Sequence, residues 1–479
     1  MKLFYQADKA RCSDIIPFFD PACGRFRPFY LKRWPPGYQG KDAKPGWYML
    51  DTEDLVHFRE HDTGIFGATG CVILHEGVYH MFPCLLTPES QVIRHAVSTD
   101  LVSWAEIPED TFGPDGVIYE RDWRDAFVFF HEGEQKWWML TCSSLRDAPT
   151  GRKGCIGLCV SEDLHHWEYR PPFYAPGNHQ SALECPDLFR IGDWYYLIYS
   201  VSSSRYQTIY RRSRNLEGPW EIPPTDTFDT RVFYAGKTAS DGQKRYLFGW
   251  AASKEFNAKG FNPPSWFGKD YGTFDHGGAM VIHELSQLPD GTLGVSVPVS
   301  VRQAMRDPAP FWFLPLQGSW KQEDATVSVQ AETEYACALM NLLPECFRVE
   351  AEISWQGSMR EFGLAFQVDR EFVKGYYLQL EPDRQRAQWI TAIRMHEDGC
   401  STFPYEVELE RPLRLEAGKP VRLTVLAEGS LLVINLDGQT AMTVRGFDYS
   451  ARHLGLYAFG GFAEFRVQQY SFPAGAEEI

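Results

Sequence analysis

The chain is predicted to be all-β, a five-bladed β-propeller followed by a C-terminal antiparallel β-sandwich of jelly-roll, lectin-like type. Three observations predict it. A Gly-marked turn leading into an aromatic strand occurs five times early in the chain, as Gly24-RFRPFYL, Gly77-VYHMFPC, Gly133-EQKWWML, Gly192-DWYYLIY and Gly242-QKRYLFGW. These glycines lie 53, 56, 59 and 50 residues apart, the period of a propeller blade. Four copies are followed by a second phrase: DTEDLVHF (51–58), VSTDLVSW (97–104), VSEDLHHW (160–167) and SRNLEGPW (213–220). Further on, the repeats stop and plain strand alternation continues to the end.

Residues 1–305 therefore read as the propeller, which is expected to be the catalytic domain. The stretch RDPAPFWFLPLQGSW carries three prolines and reads as a linker, 306–318. Residues 319–479 read as the sandwich. Its strands are marked by FRVEAEISW (347–355), FGLAFQV (362–368), GYYLQLEP (375–382), VRLTVLAEGSLLVINLDG (421–438) and HLGLYAFGGFAEFRVQQYSF (453–472). Helical periodicity is nearly absent.

A propeller's innermost strands surround one funnel, so residues just before each hairpin should meet there. Eight residues before Gly133 stands Asp125, and eight before Gly192 stands Glu184. The first hairpin is two residues longer, and Asp14 stands ten before Gly24. Thr69 and Tyr234 occupy the equivalent places in repeats two and five. One acid at a strand start reads as a turn former. Three at matched positions, converging on one axis, read as an active site. Glycoside hydrolysis needs two carboxyl groups, a protonated acid for the leaving oxygen and an ionised partner, and a third acid often grips hydroxyls and balances ring charge.

Composition narrows the alternatives. Aromatics make up 15% of the 479 residues, which suits both blade packing and stacking on sugar faces. A net charge of −16 argues against nucleic acid or an anionic membrane as partner. No stretch of 18 apolar residues and no signal-peptide pattern is visible, so no membrane anchoring is expected. The 11 cysteines are scattered and lack zinc spacing, and Cys71, Cys84, Cys142 and Cys159 lie inside apolar strands. A reducing, cytoplasmic location is expected. The 13 histidines show no HxH or HExxH spacing, and neither metal nor cofactor is expected.

The motifs resemble those of the glycoside hydrolase family 32 fructosidases, which comprise invertases, inulinases, levanases and related enzymes. Glu184-Cys185-Pro186-Asp187 is similar to the family's Glu-Cys motif, which carries the acid/base. Arg124-Asp125 resembles the Arg-Asp-Pro motif, whose Asp stabilises the transition state. Trp47, in GWYMLDTEDLVHF, resembles the Trp of the phrase preceding the family's Ser-x-Asp-Leu signature. VFYAGKTASDGQKRYLFGW (232–250) and HGGAMVIHEL (276–285) resemble its fifth-blade and closing phrases. The N-terminal motif departs from the pattern. Asp14 precedes Tyr30 by 16, as the family's nucleophile precedes its tyrosine, but Ser13 replaces an Asn, and Ala126 replaces the Pro of Arg-Asp-Pro. Asp20-Pro21 and Arg306-Asp307-Pro308 look like motif pieces and lie at the wrong places.

The resemblance implies a retaining β-fructofuranosidase releasing fructose from sucrose or short fructo-oligosaccharides, with a fructose-containing oligosaccharide as partner. Asp14 would be the nucleophile, Glu184 the acid/base and Asp125 the transition-state stabiliser. Arg124, Trp47, Thr69, Cys185 and Tyr234 would line the sugar, and Asp187 would brace Arg124. His276, beside Asp275, is a further candidate for the funnel wall. Alternatives are a fructosyltransferase or difructose-anhydride-processing enzyme, an arabinan- or xylan-acting five-bladed glycosidase, or a glycan-binding protein without catalysis. A monomer, or a homodimer through the sandwich, is expected.

Overall fold

The computed structural model describes residues 2–473 apart from 36–37, 39, 41–43, 88–89, 182, 256–263, 392–393, 396–400 and 403–408. The innermost strands of the five blades are Arg11–Ile16, Ala68–His75, Tyr119–His131, Glu184–Ile191 and Phe233–Ser240. They touch in a closed ring: one against two, two against three, three against four, four against five, and five against one. Each pairs antiparallel with the aromatic strand behind its hairpin, such as Lys136–Leu145 in blade three or Trp194–Val201 in blade four. The last blade runs into the first, because Cys12 pairs opposite Gly278. No helix of the described residues is long and apolar enough to cross a membrane.

The repeat glycines do what their period implies, with one exception. Gly24, Gly77, Gly192 and Gly242 take positive φ of +70°, +79°, +56° and +88°, which a side chain would oppose. In blade three the left-handed place falls to Gln135 (φ +54°), because the hairpin from His131 to Lys136 holds four residues where blade four holds two. That one-residue offset in the glycine's place matters for the candidate site.

The sandwich consists of an 8-stranded and a 7-stranded sheet. The segment 306–318 is not a plain linker. Asp307–Pro308 pairs with the strand Gly461–Ser471 of one sheet, and Phe313–Gln317 pairs with Ala336–Leu342 of the other. Both pieces lie at sheet edges, where proline's missing N–H costs no ladder bond, so prolines that read as a linker are compatible with strand.

The sandwich docks on blade five and shares a core with it: Phe233, Leu247 and Trp250 belong to one buried cluster with Leu431, Val433 and Val444. A polar network is sealed into this seam. Buried Asp229 accepts from Thr443 N and Oγ1 at 2.5 Å each and lies 3.0 Å from His283 Nε2. Buried Arg411 donates to Thr227 Oγ1 (2.6 Å) and to the Asp229 carbonyl (2.9 Å). Burial pushes the Asp229 carboxyl up, but His283 and Thr443 outweigh it and hold the group below the usual carboxylate range. Asp229→Ala is expected to cost about 3–5 kcal/mol of stability at pH 7 by stranding those partners. Because the folded-state value is depressed, the cost should shrink as pH falls through it. Urea denaturation at neutral and acidic pH measures both.

Candidate active site

All five innermost strands break register near their starts. In blade one, Asp14 and Ile15 stand against the single residue Tyr30; in blade three, Asp125 and Ala126 stand against Thr141. Cys185 and Pro186 face Tyr199, and Ala235 and Gly236 face Gly249, in blades four and five. Thr69 is the extra residue of blade two. The first bulge residue is left-handed in four blades: Asp14 (φ +43°), Asp125 (+58°), Cys185 (+52°) and Ala235 (+55°). Non-glycine residues pay for this conformation, and such strain collects at functional sites.

The bulges correct the repeat alignment. Asp14 and Asp125 are true equivalents, but Glu184 stands one residue earlier and matches Arg124 and Tyr234. Counting from the glycines concealed this, because Gly133 sits one place deeper in its longer hairpin. Two rows of side chains result. In the outer row, Arg124 Nη2 donates to Glu184 Oε1 (2.9 Å) and Tyr234 OH donates to Glu184 Oε2 (2.5 Å). Arg124 is held from behind by Asp122 (2.7 Å) and Gln91 (3.1 Å). In the inner row, buried Asp125 Oδ2 accepts from the Cys185 backbone N–H at 2.9 Å. Cys185 thus reaches the site through its backbone, with its thiol buried and 3.7 Å from the same oxygen.

Asp14 completes the set. Its Oδ1 lies 3.4 Å from Trp250 Nε1, which donates to it, and 3.9 Å from His276 Nε2. Trp250 in turn packs edge-on against Tyr234, linking the surroundings of Asp14 and Glu184. Burial pushes the Asp125 carboxyl up to about 6; Arg124 pulls it down, while the charges of Glu184 and Asp14 push it further up. Asp125 therefore feels acids from two other blades. Burial also holds the His276 imidazole down at about 4 against the pull of Asp14, leaving it neutral at pH 7. Beneath the acids, buried Lys237 donates to Gly70 O (2.7 Å) and Ala126 O (3.5 Å), tying blade five to blades two and three. A cavity of about 500 Å³ is walled by His276, Asp275, Arg11, Arg33, Trp34 and Phe66; none of the three acids lines it, and His276, 3.9 Å from Asp14, is its link to them.

Other expected site residues stand elsewhere. Trp47 is fully buried, donates to Ala68 O (2.9 Å) and packs with Phe29 between blades one and two, so it walls no pocket. Asp187 does not brace Arg124; its side chain accepts from Thr238 N at 2.6 Å on blade five. The bulge turns it away from Arg124, since two residues separate it from Glu184. Thr69 is buried, with Oγ1 unpartnered among the described residues. Ser13, in place of the family's Asn, is also buried and accepts from Arg33 Nε (2.9 Å). Asp20 lies in a separate hairpin, accepting from Tyr79 OH (3.0 Å). Trp250, Tyr206 and Lys237 also belong to the site's surroundings, and no repeat position marks them in the sequence. Tyr206 stacks on Tyr234 at 4.3 Å. The only signal for Trp250 was its place in the fifth-blade phrase.

Comparison with known proteins places these features in context. A family model described as "Glycosyl hydrolases family 32 N-terminal domain" matches residues 21–270, beginning downstream of Asp14. A levanase from Bacillus subtilis is 25% identical over 374 residues, 71% of this chain and 49% of its own length. The chain thus spans about half of that relative. Among solved structures, the exo-inulinase of Aspergillus awamori aligns with a TM-score of 0.69 at 16% identity, covering 98% of both chains. Fructan 1-exohydrolase IIa of Cichorium intybus aligns at 0.72 and 14%, covering 98% of this chain and 96% of its own. At such identities the solved structures bear on the fold alone.

Proposed function

The chain belongs to glycosyl hydrolase family 32, and from that premise we propose that it is a retaining glycoside hydrolase releasing fructose from β-fructofuranosides, sucrose or short fructo-oligosaccharides. The observation that carries the reading is the convergence of three acids from three blades: Trp250 donates to Asp14 and packs on Tyr234, Tyr234 and Arg124 hold Glu184, and Asp125 accepts from the N–H of Cys185 next to Glu184. Asp14 attacks the anomeric carbon and forms a fructosyl-enzyme ester. Glu184 gives its proton to the leaving oxygen, then takes one from the incoming water. Arg124 and Tyr234 fix the Glu184 carboxyl in place, and Asp125 holds ring hydroxyls and offsets positive charge in the transition state. Thr69, at the blade-two position matching Asp14 and Asp125, offers its hydroxyl to the sugar.

Residues 1–305 form the catalytic unit in this reading, and 319–479 brace blade five. Support for bracing comes from Arg445, which donates from the sandwich to Ala252 O (2.6 Å), two residues from Trp250. The ten described cysteines are all free, in keeping with a cytoplasmic location.

Product analysis tests the proposal. The protein is incubated with sucrose, inulin- and levan-type oligosaccharides, difructose anhydrides and arabino-oligosaccharides, with Asp14→Asn alongside. Free fructose that vanishes in the variant is the expected result. A non-reducing product without fructose means a transferase, and activity on arabinosides alone overturns the assignment.

A further inference from the structure

Away from the funnel, three side chains from three segments converge on one point. His95 precedes the strand Ala96–Ser98 of blade two, Asp110 ends the short turn Pro108–Asp110 between blades two and three, and His165 lies in the turn after strand Gly154–Ser161 of blade three. Asp110 Oδ2 faces His95 Nδ1 at 2.6 Å and His165 Nδ1 at 2.6 Å. One donor atom from each residue lies within 4.8 Å of both others.

The surroundings are built rather than accidental. His95 is buried, sandwiched flat against Phe82 at 4.6 Å, and its Nε2 meets buried His80 Nδ1 at 2.9 Å. An outer partner on the second ring nitrogen is the usual support for a metal-bound histidine, since it fixes both tautomer and ring plane. The backbone is fastened too: Ile107 N donates to His95 O (2.8 Å), and Asp110 N to Ile107 O (3.1 Å). Asp110 is largely covered, whereas the His165 side chain is 39% exposed, which leaves one side open for an ion to enter and for water to bind.

We propose that His95 Nδ1, His165 Nδ1 and Asp110 Oδ2 form a binding site for a zinc-class divalent cation at the seam of blades two and three, with water as fourth ligand. Two imidazoles and a carboxylate are a zinc-type donor set, and tetrahedral bonds of about 2.0–2.2 Å place such donors on the order of 3.3 Å apart. The two Asp110–histidine separations of 2.6 Å need open by less than about 1 Å, and the two imidazole nitrogens already lie within 4.8 Å of each other. Each imidazole keeps one proton and changes tautomer, from Nδ1–H to Nε2–H. His95 can then donate to His80 Nδ1, with His80 carrying its own proton on Nε2. The metal's task is mechanical: it clips loops of adjacent blades. Sequence spacing hid the site because the ligands lie 15 and 55 residues apart, in different blades.

The test is zinc titration of chelator-treated protein by calorimetry, with thermal unfolding read in parallel. Wild-type protein should bind one equivalent and raise its unfolding midpoint by at least about 2 °C at saturating zinc. His165→Ala, at a half-buried position, and Asp110→Asn, which keeps the side-chain shape, should each weaken that binding more than tenfold. Wild-type protein without stoichiometric binding overturns the proposal. So does binding that both folded variants retain unchanged, since zinc would then occupy another place.

Discussion

Glu184→Gln is expected to lower turnover by roughly 10²–10⁴-fold, with KM changed much less. The geometry supports a clean substitution. Arg124 Nη2 and Tyr234 OH address separate oxygens of Glu184, and glutamine keeps one of them, while the tyrosine hydroxyl can turn to accept from the new amide. Shape survives and the transferable proton is lost. Leaving-group dependence identifies the role. With a fructoside whose leaving group departs without a proton, the Glu184→Gln defect in forming the intermediate should largely disappear. Asp14→Asn should be crippled with either substrate, because no ester can form. Steady-state and burst kinetics on both substrates measure this, and a Glu184→Gln variant with near wild-type turnover on sucrose sinks the mechanism.

Asp125→Asn should do two opposite things: abolish most activity and make the protein more stable. Asp125 is buried, and its carboxyl is pushed up to about 6, from an ordinary value of about 4. The fold therefore favours the neutral acid. The sign follows: the group costs nothing below about pH 4, costs more as pH rises, and reaches its full penalty above about pH 6. Two pH units correspond to about 3 kcal/mol at neutral pH. Asparagine removes that penalty and still accepts from Cys185 N. Stability of the variant relative to wild type should grow between pH 4 and 7, while turnover falls at least about 10²-fold. Denaturant unfolding across that range is the measurement. A variant less stable than wild type at pH 7 would contradict the idea that the buried Asp125 carboxylate costs stability. Such a trade is expected where a carboxyl is buried for function with like charges beside it.

Much of this protein is determined by its sequence alone. The glycine-and-aromatic period sets blade number and hairpin positions because a tight turn needs a left-handed residue at a fixed place, whatever the rest of the chain does. The acids Asp14, Asp125 and Glu184 could be selected for the same reason, as residues just upstream of those turns. What the pattern could not carry is anything settled between blades. Two extra residues in the blade-three hairpin put Gly133 one place deeper than Gly192, so Glu184 lines up with Arg124, and only the register of the strands reveals it. Trp47 read as a sugar wall and is a seam residue. Asp187 read as a brace for Arg124 and serves blade five. Trp250 and His276 meet Asp14 only because the ring closes the last blade against the first. Local turn chemistry is written in consecutive residues, and so it is legible. Contacts across blade seams depend on packing between segments tens to hundreds of residues apart, and these were decided by the tertiary fold.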